Sequence, residues 1–273
     1  MRQRITTGLM LTALLAVLLW LPGWCMAAAT LICVSFAVHE EMKALEHSGH
    51  NLVVWPTWAA MALSIPLTHL LGTKVMIPLV VAALLAMTVQ VLFRKTPELP
   101  DLTMSALPLL TVALPGLSLV AISLLPDQKA VEVVLLCLTF AVPTTCDTLA
   151  FFVGSRIGGP KLCPTVSPHK TISGAIGGMV GALLAVLVVA LIANAAVKPE
   201  VLPLLPTWYE YVLIGLVGGV AGQMGDLFAS LVKRQCGIKD FSNLFPGHGG
   251  MLDRLDSIFF MALAMYCFRL LTT

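Results

Sequence analysis

Residues 172–196 read ISGAIGGMVGALLAVLVVALIANAA, 25 residues without a single charge. An α-helix of that length and composition is what crossing about 30 Å of hydrocarbon requires. Working outward, the same kind of run recurs between charges and turn residues at 5–21, 24–38, 52–71, 75–93, 102–125, 130–153, 208–232 and 257–272. The expected fold is therefore all-α: a polytopic integral membrane helix bundle of about nine transmembrane helices. Within the fifth run, Pro108 and Pro115-Gly116 are expected to kink the helix or split it in two.

Composition supports this reading. Of 273 residues, 58% are hydrophobic and 11% charged, and the mean hydropathy is +0.95. Soluble domains carry about 25% charged residues, so disorder, a disulfide scaffold and an ordinary cytosolic enzyme are excluded. A net charge of +2 is too small for a polyelectrolyte-binding surface, and no nucleic-acid partner is expected. The seven cysteines form no CxxC pair, which speaks against zinc and for apolar filler. Arg2, Arg4 and the run to Leu21 resemble a signal peptide, but apolar sequence resumes at Ala27–Val38, as expected of a retained first helix.

Orientation follows from the basic residues. With a cytoplasmic amino terminus and nine crossings, twelve of the sixteen fall inside: Arg2, Arg4, Lys43, Arg94, Lys95, Arg156, Lys161, Lys170, Lys233, Arg234, Lys239 and Arg254. Lys74, Lys129, Lys198 and Arg269 fall outside. The two longest polar loops, about 154–171 and 233–256, are then both cytoplasmic.

The second of these loops holds Lys233, Arg234, Lys239, Asp240, Asp253, Arg254 and Asp256, seven charges in 24 residues. A lipid anchor would lack the acids. Pro246-Gly247-His248-Gly249-Gly250 adds a mobile backbone whose N–H groups could line a phosphate. Two more acids, Asp147 and Asp226, lie inside apolar spans, where a carboxylate costs about 2.5–3.5 kcal/mol at a helix centre and ordinarily pairs or binds an ion. Ser230 and Lys233 follow Asp226 on the same helix face, and Asp253 and Asp256 share a face of the last helix. Asp226, Asp253 and Asp256 are expected to converge below one opening as hard oxygen donors for Mg²⁺ and a polyphosphate. The competing reading is buried acids paired with Lys or Arg.

In the first loop, Lys161 and Ser167-Pro168-His169-Lys170-Thr171 precede a helix, a plausible anion site that is not a Walker A loop. Glycines four apart (Gly174/Gly178, Gly177/Gly181, Gly215/Gly219, Gly218/Gly222) read as close helix packing. His39, Glu40, Glu41, Glu46, His47 and His50 read as a solvated polar loop.

The stretch from Ser230 to Asp256, SLVKRQCGIKDFSNLFPGHGGMLDRLD, closely resembles the signature of phosphatidate cytidylyltransferases (CDP-diacylglycerol synthases): Ser-x-x-Lys-Arg, then Lys-Asp, then Pro-x-His-Gly-Gly-x-x-Asp-Arg-x-Asp. Segments 146–154 and 167–178 resemble the family's other inner-side motifs, so the likeness covers about 146–257. Leu149, Ile172, Ser173 and Ala229 depart from frequent family residues; Ala229 stands where many members carry Glu.

The resemblance implies a nucleotidyltransferase that condenses CTP with phosphatidic acid into CDP-diacylglycerol and pyrophosphate for phospholipid biosynthesis. It implies Mg²⁺, with K⁺ beside it, held by Asp226, Asp253 and Asp256 with Asp147 nearby. Lys233, Arg234, Lys239, Asp240, His248 and Arg254 complete the implied catalytic set. Lys161, Ser167, Pro168, Lys170, Thr171, Ser230, Gly249 and Gly250 would line the substrate path. Residues 1–130 would be a scaffold with membrane-lipid or homodimer contacts and 131–273 the catalytic part, in a bacterial inner membrane with the site facing the cytoplasm. A cytidylyltransferase acting on another lipid phosphate is the near alternative, and a membrane transporter the non-enzyme one. A CDP-alcohol phosphotransferase would need Asp-Gly, which the chain lacks.

Overall fold

The computed structural model describes residues 13, 15–21, 23–125, 129–245, 247 and 249–272. The expected first span, Arg2, Arg4 and His248 fall wholly or mostly outside them. The helices are α1 (Gly23–His47), α2 (Trp55–Leu71), α3 (Met76–Leu92), α4 (Leu99–Pro108), α5 (Leu114–Ser123), α6 (Lys129–Ile157), α7 (Ile172–Ala196), α8 (Trp208–Gln235) and α9 (Leu252–Thr272). Strands β1 (Lys161–Cys163) and β2 (Ser167–Thr171) form one antiparallel hairpin. Each expected span from 24 onward coincides with helix, and the protein is an all-α polytopic integral membrane protein. Seven helical stretches among the described residues are long and apolar enough to cross a membrane. The 17-residue α2 is shorter, at the low end of what a span needs.

The chain divides into two compact units, Met1–Leu125 with Val232–Leu255, and Pro126–Leu231 with Asp256–Thr273. In the first unit, the prolines of the fifth span do not break it. A five-residue π segment, Leu109–Ala113, joins α4 to α5. Pro115 has no N–H and its ring would crowd the Thr111 carbonyl; a locally wider turn absorbs both problems without ending the helix. Gly116 lets α5 close on Val34 of α1. Asp101 accepts from Arg94 (2.8 Å) and from the Asn51 amide (3.1 Å), and Arg94 also donates to the Asn51 carbonyl, tying the connections before α2 and α4 together.

One sequence expectation is corrected here. Residues 39–47 are not a loop: α1 continues through them, and Glu40 and Glu41 are buried. No turn residue follows the apolar run Ala27–Val38, so nothing stops the helix before Ser48-Gly49.

In the second unit, α6, α7 and α8 pack through glycine. A Cβ on Gly181 would meet the Thr145 carbonyl oxygen at 2.7 Å, and one on Gly178 would meet Cys146 at 2.9 Å. Gly219 likewise faces Ala182, and Gly218 and Gly222 face Val142 and Pro143 of α6. The four-residue spacing thus serves backbone approach, the usual source of packing between helices in lipid. Leaving α6, Gly158 and Gly159 adopt φ of +66° and +101°, turning the chain into the hairpin. Thr171 then caps α7, its hydroxyl accepting the Gly174 amide at 3.1 Å.

Gly181→Leu is expected to force α6 and α7 apart and cost about 1–3 kcal/mol or more. Val188→Ala, at an exposed position of the same helix, should leave the melting temperature in detergent unchanged. Equal melting of Gly181→Leu and wild type would refute the packing role.

Candidate active site

Carboxylates gather at one end of the second unit, where α6 and α8 near their C-termini and α7 and α9 begin. By the 1.5 Å rise per residue, Asp147 and Asp226 each lie about 15 Å from the end of their helix. Lys170, the penultimate residue of β2, forms an ion pair with Asp226. Both side chains are a little over a quarter exposed, enough for a polar ligand to reach them. Asp147 accepts from the Ser257 hydroxyl at 3.3 Å and feels the charges of both Asp226 and Lys170.

Asp256 accepts the Ser257 amide at 2.7 Å. Gly222 and Gly225 make this convergence possible: a Cβ on Gly225 would collide with the Asp256 carbonyl, and one on Gly222 would crowd Pro143. Gln223 fixes the adjoining turn by donating to the Ala175 carbonyl at 3.1 Å.

In the first unit, Lys233 at the end of α8 donates to Asp253 Oδ1 at 2.6 Å. The Asp253 side chain is only 3% exposed, so removing its partner would strand a buried charge. Its Oδ2 accepts the amides of Phe241 (2.8 Å) and Gly250 (2.9 Å). The Lys233 ammonium also stands 5.5 Å from the centre of the Phe241 ring, within cation–π range. Gly249 has φ +80° and would place a Cβ 2.8 Å from Asp253 Oδ2. The glycine run is therefore a tightly fitted turn, and the Gly250 amide that was expected to face a phosphate is taken by Asp253.

A residue that the sequence reading treated as solvated completes the turn. Glu40 Oε1 accepts the Ser242 hydroxyl at 2.6 Å and the Met251 amide at 2.9 Å, and Oε2 accepts the Leu252 amide at 2.8 Å. These are orphan donors at the start of α9, where a negative charge is also favoured by the helix dipole. The available signal was two adjacent acids continuing an apolar helix with no intervening turn.

Lys161, Pro168, Lys239, Asp240, Arg234 and Arg254 are exposed, while Ser167 and Ser230 are half-buried. Thr171 is buried as the α7 cap rather than presented to a ligand. His248 lies outside the described residues.

For Mg²⁺ the chemistry of the donors is suitable. Asp147 and Asp226 offer hard carboxylate oxygens on adjoining helices, with a lysine ammonium already drawn to them. Among the described residues no three acidic, histidine or cysteine side chains stand at coordination spacing. A cation bound there would therefore complete its shell from water and substrate phosphates, as Mg²⁺ commonly does.

The family model described as the cytidylyltransferase family matches residues 2–272. A phosphatidate cytidylyltransferase of Brucella abortus is 38% identical over 157 residues, covering 56% of this chain and 53% of that protein. Proteins of the same name from Bacillus subtilis and Thermotoga maritima are 40% identical over 124 residues (44% of this chain, 41% of that one) and 30% over 120 (44% and 43%). The matched part spans about half the length of these curated relatives or somewhat less.

Lys233→Met is expected to cost about 3–5 kcal/mol by leaving Asp253 buried and without its cation. Chemical or thermal unfolding in detergent measures this; a variant as stable as wild type would mean that the loop amides alone satisfy Asp253.

Proposed function

The chain belongs to the cytidylyltransferase family, and we propose that it condenses CTP with phosphatidate to give CDP-diacylglycerol and pyrophosphate. The observation that carries this reading is the Lys170–Asp226 pair with Asp147 beside it, within reach of solvent at one end of an otherwise apolar helix group. The names of the relatives and the signature from Ser230 to Asp256 support the choice of substrates.

In the proposed reaction an anionic oxygen of the lipid phosphate attacks the α-phosphorus of CTP in line. The new P–O bond forms as the bond from the α-phosphorus to the bridging oxygen breaks, and pyrophosphate leaves with that electron pair. The nucleophile is already an anion, so no strong base is required, and catalysis rests on positioning and on neutralising charge.

Asp226 and Asp147 are the proposed oxygen donors for Mg²⁺, with Asp256 of the same unit reaching the ion only through water or substrate phosphate. When bound, the ion supplies Lewis-acid neutralisation of the phosphate oxygens. In the other unit, Asp253 stays in the proposed catalytic set, its Oδ1 held by Lys233 and its Oδ2 by the loop amides. Lys170 is the lysine proposed to exchange a carboxylate for phosphate oxygens, and Lys233 to hold Asp253 in place. Exposed Lys161, Arg234, Lys239 and Arg254 would draw the anions in, and Asp240 and His248 belong to the proposed set through the signature alone. A monovalent cation such as K⁺ beside Mg²⁺, a homodimer, and a cytoplasm-facing site in a bacterial inner membrane belong to the same proposal.

Purified protein, phosphatidate, Mg²⁺ and CTP labelled in the α-phosphate and base should yield lipid-soluble CMP. Chelation should abolish it. Asp226→Asn is expected to lower kcat/KM by about 10²–10³-fold, the loss typical of one electrostatic stabiliser. Folded wild-type protein that yields no lipid-linked CMP with phosphatidate would overturn the proposal.

A further inference from the structure

We propose that Glu40 is a positioning residue for nucleotidyl transfer, acting through the turn 241–252 and the first turn of α9; this rests on the functional reading above. Three observations within one unit converge on it. The carboxylate is 6% exposed and lies on a helix more than 200 residues away in sequence from the segment it holds. Its two oxygens accept three hydrogen bonds, from the Ser242 hydroxyl and the Met251 and Leu252 amides. Finally, a Cβ on Gly250 would come within 2.5 Å of Glu40 Oε2, so the glycine is shaped to this carboxylate.

The consequence is geometric. Asp253 and Arg254 occupy the first turn of α9, and Asp256 the next. The helix start is clamped on one side by Glu40 and on the other by Asp253 itself, whose Oδ2 takes the Phe241 and Gly250 amides. With Glu40 neutral or shortened, the donors of Ser242, Met251 and Leu252 lose their anchor. The Asp253 clamp then holds the turn alone, and α9 can shift by fractions of an ångström to about 1 Å. Misplacement of that size away from the reacting atoms can cost about 10²-fold in rate. Glu40 touches neither substrate in this account; it determines where the charged side chains of α9 stand.

Glu40→Gln, Glu40→Asp and Ser242→Ala in the full-length protein test this. For Glu40→Gln, kcat should fall at least about tenfold with the KM for CTP changing less than about threefold, as expected when transition-state geometry rather than ground-state binding is lost. Tryptic cleavage at Lys239, exposed in the same turn, should accelerate while the melting temperature moves by only a few degrees. Glu40→Asp, which keeps the charge, should recover part of the rate. Ser242→Ala, which removes one of the three bonds, should lie between wild type and Glu40→Gln and serves if the Glu40 variants fail to fold.

Wild-type kcat in folded Glu40→Gln, or a rate loss that merely tracks the fraction unfolded, would overturn the proposal, as would unchanged kcat and unchanged cleavage in Ser242→Ala. Wild-type protein without turnover would overturn the functional reading instead. The cleavage comparison would then still decide whether Glu40 holds the turn.

Discussion

A carboxylate enclosed by apolar helices must be met by a cation or by N–H groups, and this requirement organises the charged part of the protein. Water is absent from the bilayer core, so every acid that the fold retains needs a partner built into the chain. Asp226 receives Lys170, Asp253 receives Lys233 and two amides, and Glu40 receives a hydroxyl and two amides. Glu41 receives the Thr111 hydroxyl, on the π segment, at 3.0 Å. Apart from the local Gly250–Asp253 bond, these pairings join segments separated in sequence, so the same bonds that satisfy the acids also fasten loops to helices.

Close approach is the second condition, and glycine meets it. A lysine on a hairpin reaches an aspartate on α8 only if α6, α7 and α8 lie nearly backbone to backbone. The absence of Cβ atoms at Gly178, Gly181, Gly219 and Gly222 removes the atoms that would separate them. Large residues of α7, such as Leu184, Leu187 and Leu191, are exposed on the protein surface, where lipid would cover them.

The helices from residue 24 onward were legible from the sequence because long, charge-poor apolar runs have few other physical interpretations. The glycine spacing was legible for the same reason: a four-residue repeat marks one helix face. Partner choice was not. Periodicity places Asp226 on a face but says nothing of Lys170, which arrives from a hairpin too short and polar to register as strand. The competing readings of the acids, ion ligands or lysine partners, come from the same residues, and the structure displays the lysine pairs. Glu40 was missed because an exposed acid and a buried one look alike until the donors, some 200 residues onward, are brought to it. The π segment was also hidden, since proline signals a break and only packing decides whether the helix absorbs it.

Pairing with lysine rather than arginine is consistent with a centre that must change partners. Arginine's planar fork would bind a carboxylate through two parallel hydrogen bonds, which favours a permanent link. A lysine ammonium is a point charge on a flexible stem with three donors, and it can turn from a carboxylate to a phosphate oxygen without a change in geometry. Lys170 and Lys233 neutralise Asp226 and Asp253. On the proposed reading, a nucleotide with its divalent ion would bring both signs of charge to the Lys170–Asp226 pair: phosphates for the lysine, and a cation for the carboxylates of Asp226 and Asp147. Neither Lys170 nor Asp226 would then lose its counter-charge, which is the condition under which charged groups can be kept inside a membrane-embedded helix group.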